Sequence, residues 1–238
     1  MESLDKNIII TVLTGAGFSQ ASGIPTFRGK NGLWKNYDPS DLATPSAFAR
    51  DPELVWEWYK WRLKVVLNAA PNPAHLILAE VEKKGFDIVI LTQNVDDLHE
   101  RAGSGNVIHF HGEIREARCV SCGRMFTWTI ELLSTVGDIP KCETCGSFYR
   151  PNVVWFGEGL DRKVIQTSID RLSSTDILIV AGTSGVVYPV AEFPFLAKSQ
   201  NPLVKIFEFN LDYTPISSIA SQIFLGPVEK TLPNYFSS

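Results

Sequence analysis

Short apolar runs alternate along the chain with stretches of helical periodicity. Residues 74–84 and 162–173 place apolar side chains at helical spacing. The apolar runs are rich in β-branched residues, which is typical of strands buried in a parallel sheet, and they cover residues 7–14, 86–91, 106–110, 176–181 and 204–209. Strands that alternate with helices predict an α/β fold built on a Rossmann-like parallel sheet.

Two segments interrupt this alternation. Residues 26–71 are rich in aromatic side chains and contain a periodic stretch, 52–67, that predicts a helix with Trp56, Tyr59 and Leu63 close to one face. Residues 115–151 carry all four cysteines. We expect both segments to leave the sheet and pack together as a smaller inserted domain, with a ligand cleft between the two domains. The predicted division is 1–25, 72–114 and 152–238 for the Rossmann-like domain, and 26–71 and 115–151 for the small domain.

Composition and charge exclude several classes of protein. An apolar fraction of 45% and a charged fraction of 20% are typical of a globular chain. A net charge of -4 without a basic stripe argues against nucleic-acid binding. The longest apolar stretch, 177–190, is shorter than a membrane span, and the polar, acidic start lacks the order of a signal peptide. We therefore expect a soluble cytoplasmic protein without membrane association, and a monomer.

The four cysteines form two C-x-x-C pairs. Cys119 and Cys122 precede Cys142 and Cys145, with 19 residues between the pairs, which lies in the range of zinc ribbons. Four thiolates close a tetrahedral shell, so the predicted Zn²⁺ is structural and holds no catalytic water. Ordinary buried or redox-active cysteines remain the alternative. The small domain is thus predicted to consist of a helical module and a zinc ribbon.

A glycine-rich turn, residues 15–23, follows the first predicted strand. In this position glycines let the backbone approach a pyrophosphate, and a following helix N-terminus faces the phosphate charge. Gln20 stands where the dinucleotide motif has its third glycine, so a tight turn without a ligand stays open as an alternative.

Polar side chains follow the next two predicted strands. Asn94 and Asp96 come directly after the second strand, at the edge where parallel sheets place ligand-binding groups, although an Asx turn with a helix cap is an alternative. His109 and His111 are two residues apart and share a face if they lie on a strand, which Gly112 would end. One of the two histidines is expected to serve in packing.

Several motifs together resemble the sirtuin family. The N-terminal motif runs from Gly15 to Arg28 as G-x-G-x-S-x-x-S-G-I-P-x-F-R, and the others follow in the family's order over nearly the whole chain. These are residues 92–96, residues 109–112, the two cysteine pairs, residues 153–158 and residues 182–184.

The resemblance implies an NAD-dependent protein-lysine deacylase, a sirtuin-type transferase that releases nicotinamide, free lysine and O-acyl-ADP-ribose. His111 is then the general base, and Asn94 and Asp96 complete the catalytic set. Gln93, Asn94 and Asp96 belong to the nicotinamide-ribose pocket, Phe27 screens the reactive carbon from water, and Arg28 orders the loop over the cofactor. The remaining NAD-binding residues implied by the family are Gly15, Ala16, Gly17, Gly182, Thr183, Ser184 and Asn210.

The resemblance also implies the substrates, which are acylated protein lysines. Val153, Val154, Phe156 and Gly157 would bind an extended peptide through backbone hydrogen bonds. Tyr59 and Arg62, with Ala43, resemble the subclass that removes succinyl, malonyl and glutaryl groups. A phenol and a guanidinium suit the distal carboxylate of such groups, and alanine leaves room for the longer chain. Removal of acetyl groups is expected as well.

Other functions remain open on the sequence alone. Glu113 departs from the small polar residue usual after the His-Gly pair, and the NAD assignment depends mainly on the N-terminal half. A mono-ADP-ribosyltransferase or NAD glycohydrolase would use the same cleft, and a binding module would use it as a sensor. A dehydrogenase is less favoured, because the acid it needs to bind ribose is offered only by Asp38, outside any second-strand pattern.

Overall fold

The structure, a computed structural model, describes residues 6–28, 32–135 and 139–237. The strands are β1 (Ile9–Thr14), β2 (Asp87–Thr92), β3 (Val107–His109), β4 (Gly112–Cys119), β5 (Met125–Thr127), β6 (Tyr149–Val153), β7 (Ile177–Ala181), β8 (Lys205–Asn210) and β9 (Gln222–Leu225). The α-helices are α1 (Pro39–Leu42), α2 (Pro45–Arg50), α3 (Pro52–Asn68), α4 (Pro73–Lys83), α5 (Leu98–Ala102), α6 (Ile130–Thr135), α7 (Arg162–Ser173), α8 (Phe193–Gln200) and α9 (Val228–Ser237).

Six strands form one parallel sheet in the order β3-β2-β1-β7-β8-β9. The five strands predicted from apolar runs are all in it, and the predicted α/β fold is confirmed. β1 and β7 are neighbours at the centre, and the chain proceeds from them toward opposite edges. Such a switch point opens a crevice at the carboxyl ends of the two strands, here next to Thr14 and Ala181.

The longer predicted helices are also present. α3 carries Trp56, Tyr59 and Leu63 on its buried face, as the periodicity predicted. It begins after Asp51, whose carboxylate accepts a hydrogen bond from the N–H of Leu54, and Pro52 occupies the first turn. No helix in the described part of the chain is long and apolar enough to cross a membrane.

The two insertions share a hydrophobic core of their own. β5, β4 and β6 form a small antiparallel sheet, separate from the parallel one. Trp56 of α3 packs edge-on against Trp128, and its indole N–H donates to the carbonyl of Tyr149 at 2.8 Å. Cys119 and Cys142 are buried in the same cluster. The helical and cysteine-containing segments therefore pack together, while the exact domain boundaries remain a prediction.

Candidate active site

Two glycine turns meet at the switch point of the parallel sheet. The N–H of Gly17 donates to the carbonyl of Gly182 at 2.8 Å, and the N–H of Gly15 donates to Ala181 at 3.2 Å. A Cβ on Gly17 would lie 2.9 Å from the Gly182 oxygen, and one on Gly182, where φ is +63°, would lie 2.4 Å from the nitrogen of Phe18. Backbone packing this close requires glycine at these positions.

The segment after the first glycine turn differs from the prediction. A 3₁₀ helix of three residues, Gln20–Ser22, follows the turn, so the expected helix N-terminus facing a phosphate was wrong. Gly23, at φ +87°, ends this short helix, and Pro25 follows it. Serine, glycine and proline at this density disfavour a continuing α-helix. Any phosphate bound here would contact turn N–H groups instead of the end of a long helix.

Side chains connect the carboxyl ends of β2, β7 and β8. The amide of Gln93 donates to the hydroxyl of Thr183 at 3.0 Å, and Asn210 donates to the carbonyl of Thr183 at 2.7 Å. Ser184 is exposed directly after them, and Ala16 is partly exposed on the glycine turn. Gln93, Thr183 and Asn210, three of the residues predicted for NAD binding, are therefore connected at the carboxyl ends of these strands, next to the two glycine turns.

Ser19 joins the two polar residues that follow β2. Its hydroxyl accepts a hydrogen bond from the side-chain amide of Asn94 at 3.1 Å and also hydrogen-bonds Asp96. All three side chains are buried. Sequence reasoning had assigned no role to Ser19, although it lies inside the N-terminal motif. The predicted alternative of an Asx cap at Asn94 is not what the structure shows, since its amide is turned toward Ser19.

The carboxyl group of Asp96 is held at a cost to stability. Burial raises its pKa to about 6, although hydrogen bonds from Ser19 and the Leu98 N–H act in the opposite direction. The folded state therefore binds this proton more tightly than the unfolded chain, whose aspartates titrate near 3.9. Ionised Asp96 destabilises the fold above about pH 6, and the penalty disappears as the pH falls toward 4.

We expect Asp96→Asn to raise the free energy of unfolding at pH 7.5 by roughly 3 kcal/mol, because a pKa near 6 instead of 3.8 corresponds to about that cost. The gain should shrink to about a third at pH 4.5. Urea denaturation at both pH values measures it, with Glu57→Gln, an exposed carboxylate on α3, as the matched control. An equal gain at both pH values would contradict the assignment.

The two histidines near the crevice differ in their free nitrogen atoms. The Nδ1 of His111 lies 2.8 Å from the carbonyl of Gln93, which can only accept, so Nδ1 carries the proton and Nε2 keeps a lone pair. Burial lowers the pKa of His111, although the Gln93 carbonyl opposes this, so the ring is neutral near pH 7. A half-buried neutral imidazole with an open Nε2 is suited to proton removal.

Both nitrogens of His109 are already bound. Nδ1 lies 3.1 Å from the carbonyl of Asn94, and Nε2 lies 2.8 Å from the carboxylate of Glu100. Burial disfavours the charged ring, but the hydrogen bond and charge of Glu100 outweigh it and raise the pKa of His109. His109 therefore supports the Gln93–Asn94 turn. Of the two histidines, His111 is the one whose Nε2 can accept a proton.

Arg62 and Tyr59 are buried side by side on α3. The alternative that the Tyr-x-x-Arg pair is an ordinary surface tyrosine and a solvated arginine is therefore excluded. The guanidinium carbon of Arg62 lies 4.7 Å from the ring centre of Phe27 and 4.8 Å from that of Trp58. Burial lowers the pKa of Arg62, while the hydroxyl of Tyr59 and the charge of Asp96 favour the cation. Among the described residues, no carboxylate forms an ion pair with Arg62. A buried cation without a carboxylate partner is suited to an anionic ligand.

The segment after β6 lies between His111 and the surroundings of Arg62. The N–H of Val154 donates to the carbonyl of His111, and the N–H of Phe156 donates to the carbonyl of Ala43, both at 2.9 Å. Val153 is buried, Phe156 and Gly157 are exposed, and Gly157 has φ +88°. The N–H of Trp155 also donates internally, to the carboxylate of Glu158. Because three successive N–H groups are used in this way, a peptide strand added here would have to use the remaining backbone groups of the segment.

Phe27, predicted to screen the reactive carbon, lies against Arg62 of α3. Phe27 stacks on Trp34 with ring centres 5.2 Å apart, and its carbonyl accepts from the N–H of Trp34. Arg28 is exposed. Phe27 therefore covers Arg62 in this structure, and Arg28 is the last described residue before residues 29–31.

The four cysteine sulfurs lie within 4.8 Å of one another. Cys119 and Cys145 are separated by 3.4 Å and Cys122 and Cys142 by 3.7 Å, which are spacings of unbonded sulfurs. Zn–S bonds of about 2.3 Å in a tetrahedron place sulfurs about 3.8 Å apart. Gly123 and Gly146, at φ +73° and +74°, donate to the carbonyls of Cys119 and Cys142 and turn the two knuckles alike. The cysteines form a closed site for structural zinc.

Comparison with known proteins gives a consistent result. Residues 15–189 match the Sir2 family. NAD-dependent protein deacylase 1 of Archaeoglobus fulgidus is 49% identical over 226 residues, which cover 95% of this chain and 91% of that protein.

Two solved structures add to this comparison. A Sir2 homologue in complex with NAD superposes with a TM-score of 0.87 at 49% identity, covering 95% of this chain and 87% of the other. A Sir2 complex with a p53 peptide and NAD⁺ gives a TM-score of 0.84 at 36% identity, covering 95% and 91%.

Proposed function

Since the chain belongs to the Sir2 family, we infer that it is an NAD-dependent protein deacylase, and we propose lysines carrying succinyl, malonyl or glutaryl groups as its preferred substrates. The observation that carries the enzymatic part is the free Nε2 of His111, next to a crevice bordered by Asn94 and Asp96. Acetyl-lysine is expected to be a second substrate.

His111 is the proposed general base. Its Nδ1–H is anchored on Gln93, so Nε2 points its lone pair away from that carbonyl and can take a proton from a ribose hydroxyl of bound NAD. At neutral pH the ring is neutral and Nε2 carries no proton, so His111 can accept a proton without first losing one. The oxygen that loses this proton would then attack the carbon of the acyl group, which is linked to the ribose once nicotinamide has left, and water would release free lysine and O-acyl-ADP-ribose.

Asp96 and Asn94 are proposed to stabilise the positive charge that develops when nicotinamide leaves. A carboxylate with a pKa of about 6 is ionised at pH 7.5, and its charge favours a cation in a low-dielectric crevice. Ser19 holds both side chains in place. Gln93 is proposed to complete this pocket, with Gly15, Ala16, Gly17, Gly182, Thr183, Ser184 and Asn210 around the phosphates and adenosine.

The acyl preference is argued from the buried cation. Arg62 can offer two parallel N–H donors to a carboxylate, and Tyr59 can offer a third. The carbonyl of Ala43 accepts a hydrogen bond from the N–H of Phe156. The methyl side chain of Ala43 is proposed to leave room for the longer acyl chain. Binding requires Phe27 to move away from the guanidinium, because it now covers it.

A first assay tests both parts of this proposal. Peptides carrying acetyl- or succinyl-lysine are incubated with the protein, with and without NAD, and the products are analysed by mass spectrometry. O-acyl-ADP-ribose among the products supports the deacylase. Nicotinamide release without any change in either peptide contradicts it and favours a glycohydrolase or an ADP-ribosyltransferase.

We expect Arg62→Met to lower kcat/KM for succinyl-lysine by roughly 10- to 150-fold, because a hydrogen bond to a charged group contributes about 1.5–3 kcal/mol. The change for acetyl-lysine should be small, since acetyl lacks the distal carboxylate. Lys64→Met, an exposed cation on the same helix, is the matched control. Equal losses with both peptides would show that Arg62 supports the fold or the NAD site and not the acyl preference.

Cytoplasmic location, the monomeric state and the domain boundaries stay predictions. The backbone segment of Val153, Val154, Phe156 and Gly157 is proposed to bind the peptide mainly through carbonyl groups and the N–H of Gly157, which leaves little readout of the flanking sequence.

A further inference from the structure

We propose that Trp155 is a positioning residue for acyl specificity: its indole N–H orients the hydroxyl of Tyr59 so that this hydroxyl donates a hydrogen bond to the carboxylate of an acidic acyl group. The inference builds on the proposed preference for such groups. Trp155 stands between Val154 and Phe156 of the segment proposed to bind the peptide.

The direction of the Tyr59 proton follows from its partners. The Nε1 of Trp155 donates to the phenolic oxygen at 2.9 Å, and both side chains are 3% exposed. Arg62, the second group that hydrogen-bonds Tyr59, is also only a donor. Neither neighbour can accept a hydrogen bond from the phenol, so the O–H of Tyr59 is available to donate to a bound acceptor.

Tyr59 keeps that proton at neutral pH. Burial raises the pKa of the phenol, although the nearby charge of Arg62 and the hydrogen bond from Trp155 oppose the shift. A neutral phenol whose oxygen already accepts from donors is a strong donor itself, because hydrogen bonds in a chain polarise one another. A carboxylate next to Arg62 would be a well-matched acceptor.

Trp155 itself is fixed from two directions. The guanidinium carbon of Arg150 lies 3.5 Å from the centre of the indole ring. The two terminal nitrogens of Arg150 donate to the two oxygens of Glu158, at 2.5 and 2.9 Å, and Glu158 accepts from the backbone N–H of Trp155 at 2.8 Å. This arrangement leaves the indole N–H little freedom to turn away from Tyr59.

The test is Trp155→Phe, which removes the N–H donor and keeps an aromatic ring against Arg150. KM for a succinyl-lysine peptide should rise about 3- to 10-fold, as expected for one net hydrogen bond, while kcat and the KM for the acetyl-lysine peptide stay unchanged. In a Tyr59→Phe background, adding Trp155→Phe should cause no further rise. Trp56→Phe is the matched control, since it loses the indole bond to Tyr149 in the same core.

Peptide binding measured by calorimetry without NAD separates this inference from the proposed function. If the wild type binds succinyl-lysine peptide more tightly than acetyl-lysine peptide and Trp155→Phe removes part of that difference, the inference is supported, whatever the catalytic assay shows. It is overturned if the wild type binds both peptides equally, or if Trp155→Phe weakens both to the same extent. Absence of NAD-dependent deacylation in the wild type would overturn the proposed function alone.

Discussion

Replacing His111 with alanine is expected to lower kcat/KM for NAD-dependent deacylation by about 10²- to 10⁴-fold, the usual contribution of a positioned general base. Of His109 and His111, only His111 has an Nε2 without a hydrogen-bond partner among the described residues, and its Nδ1 is used by the carbonyl of Gln93. The loss should be the same for acetyl- and succinyl-lysine peptides, since the base acts on the ribose and not on the acyl group. Initial rates with both peptides measure it.

His109→Gln is the control for this variant. It removes a ring that is bound to Asn94 and Glu100 and has no free nitrogen, so its effect should be much smaller and should accompany a lower unfolding temperature. If His109→Gln lowered kcat/KM as much as His111→Ala, the assignment of His111 as the base would be contradicted, because disruption of the Gln93–Asn94 turn would then explain both losses.

Removing one zinc ligand is expected to unfold the small domain. Cys142→Ser should lose the metal, and since structural zinc contributes roughly 10–16 kcal/mol in isolated zinc fingers, the free energy of unfolding should fall by several kcal/mol. Metal content, thermal unfolding and tryptophan fluorescence report the change, because Trp56 and Trp128 share a core with Cys119 and Cys142. Deacylation should disappear in parallel, since α3 carries the proposed acyl pocket.

Ser121→Ala is the matched control for the zinc prediction. Ser121 lies between Cys119 and Cys122 in the other knuckle of the same site, and its hydroxyl is 2.7 Å from that of Ser147, but it offers no sulfur to the metal. Its zinc content should remain at one ion per chain. A Cys142→Ser protein that keeps the wild-type unfolding temperature would refute a structural role for the metal.

Local patterns predicted the parts of the molecule that depend on local physics. Continuous β-branched runs predicted five strands of the parallel sheet, and the spacing of aromatic residues predicted the buried face of α3. The cysteine spacing predicted a site in which the four sulfurs do converge. β9 was not predicted, because Gln222–Leu225 is short and only partly buried, so its pattern is weak.

Contacts between distant segments explain what the sequence left undetermined. The glycine motif did not reveal a 3₁₀ helix, since its typical context suggested an α-helix. Which histidine holds a free nitrogen depends on Glu100, and the direction of the Tyr59 proton depends on Trp155, which is 96 residues away in the chain. The first pairing depends on how α5 packs beside β3, and the second on how the helical insertion packs against the segment after β6; neither has a signature in local spacing.

The shared core of the two insertions has a consequence for synthesis of the chain. Trp56 of α3 forms its indole hydrogen bond with Tyr149, 93 residues later, and its packing partner Trp128 also comes late. A ribosome adds about 5–20 residues per second, so the apolar face of α3 waits several seconds for its cover. Cys142 and Cys145 are made at the end of that interval, so the zinc site can close only then. We expect zinc supply at that point to affect how much nascent chain is captured by chaperones or aggregates.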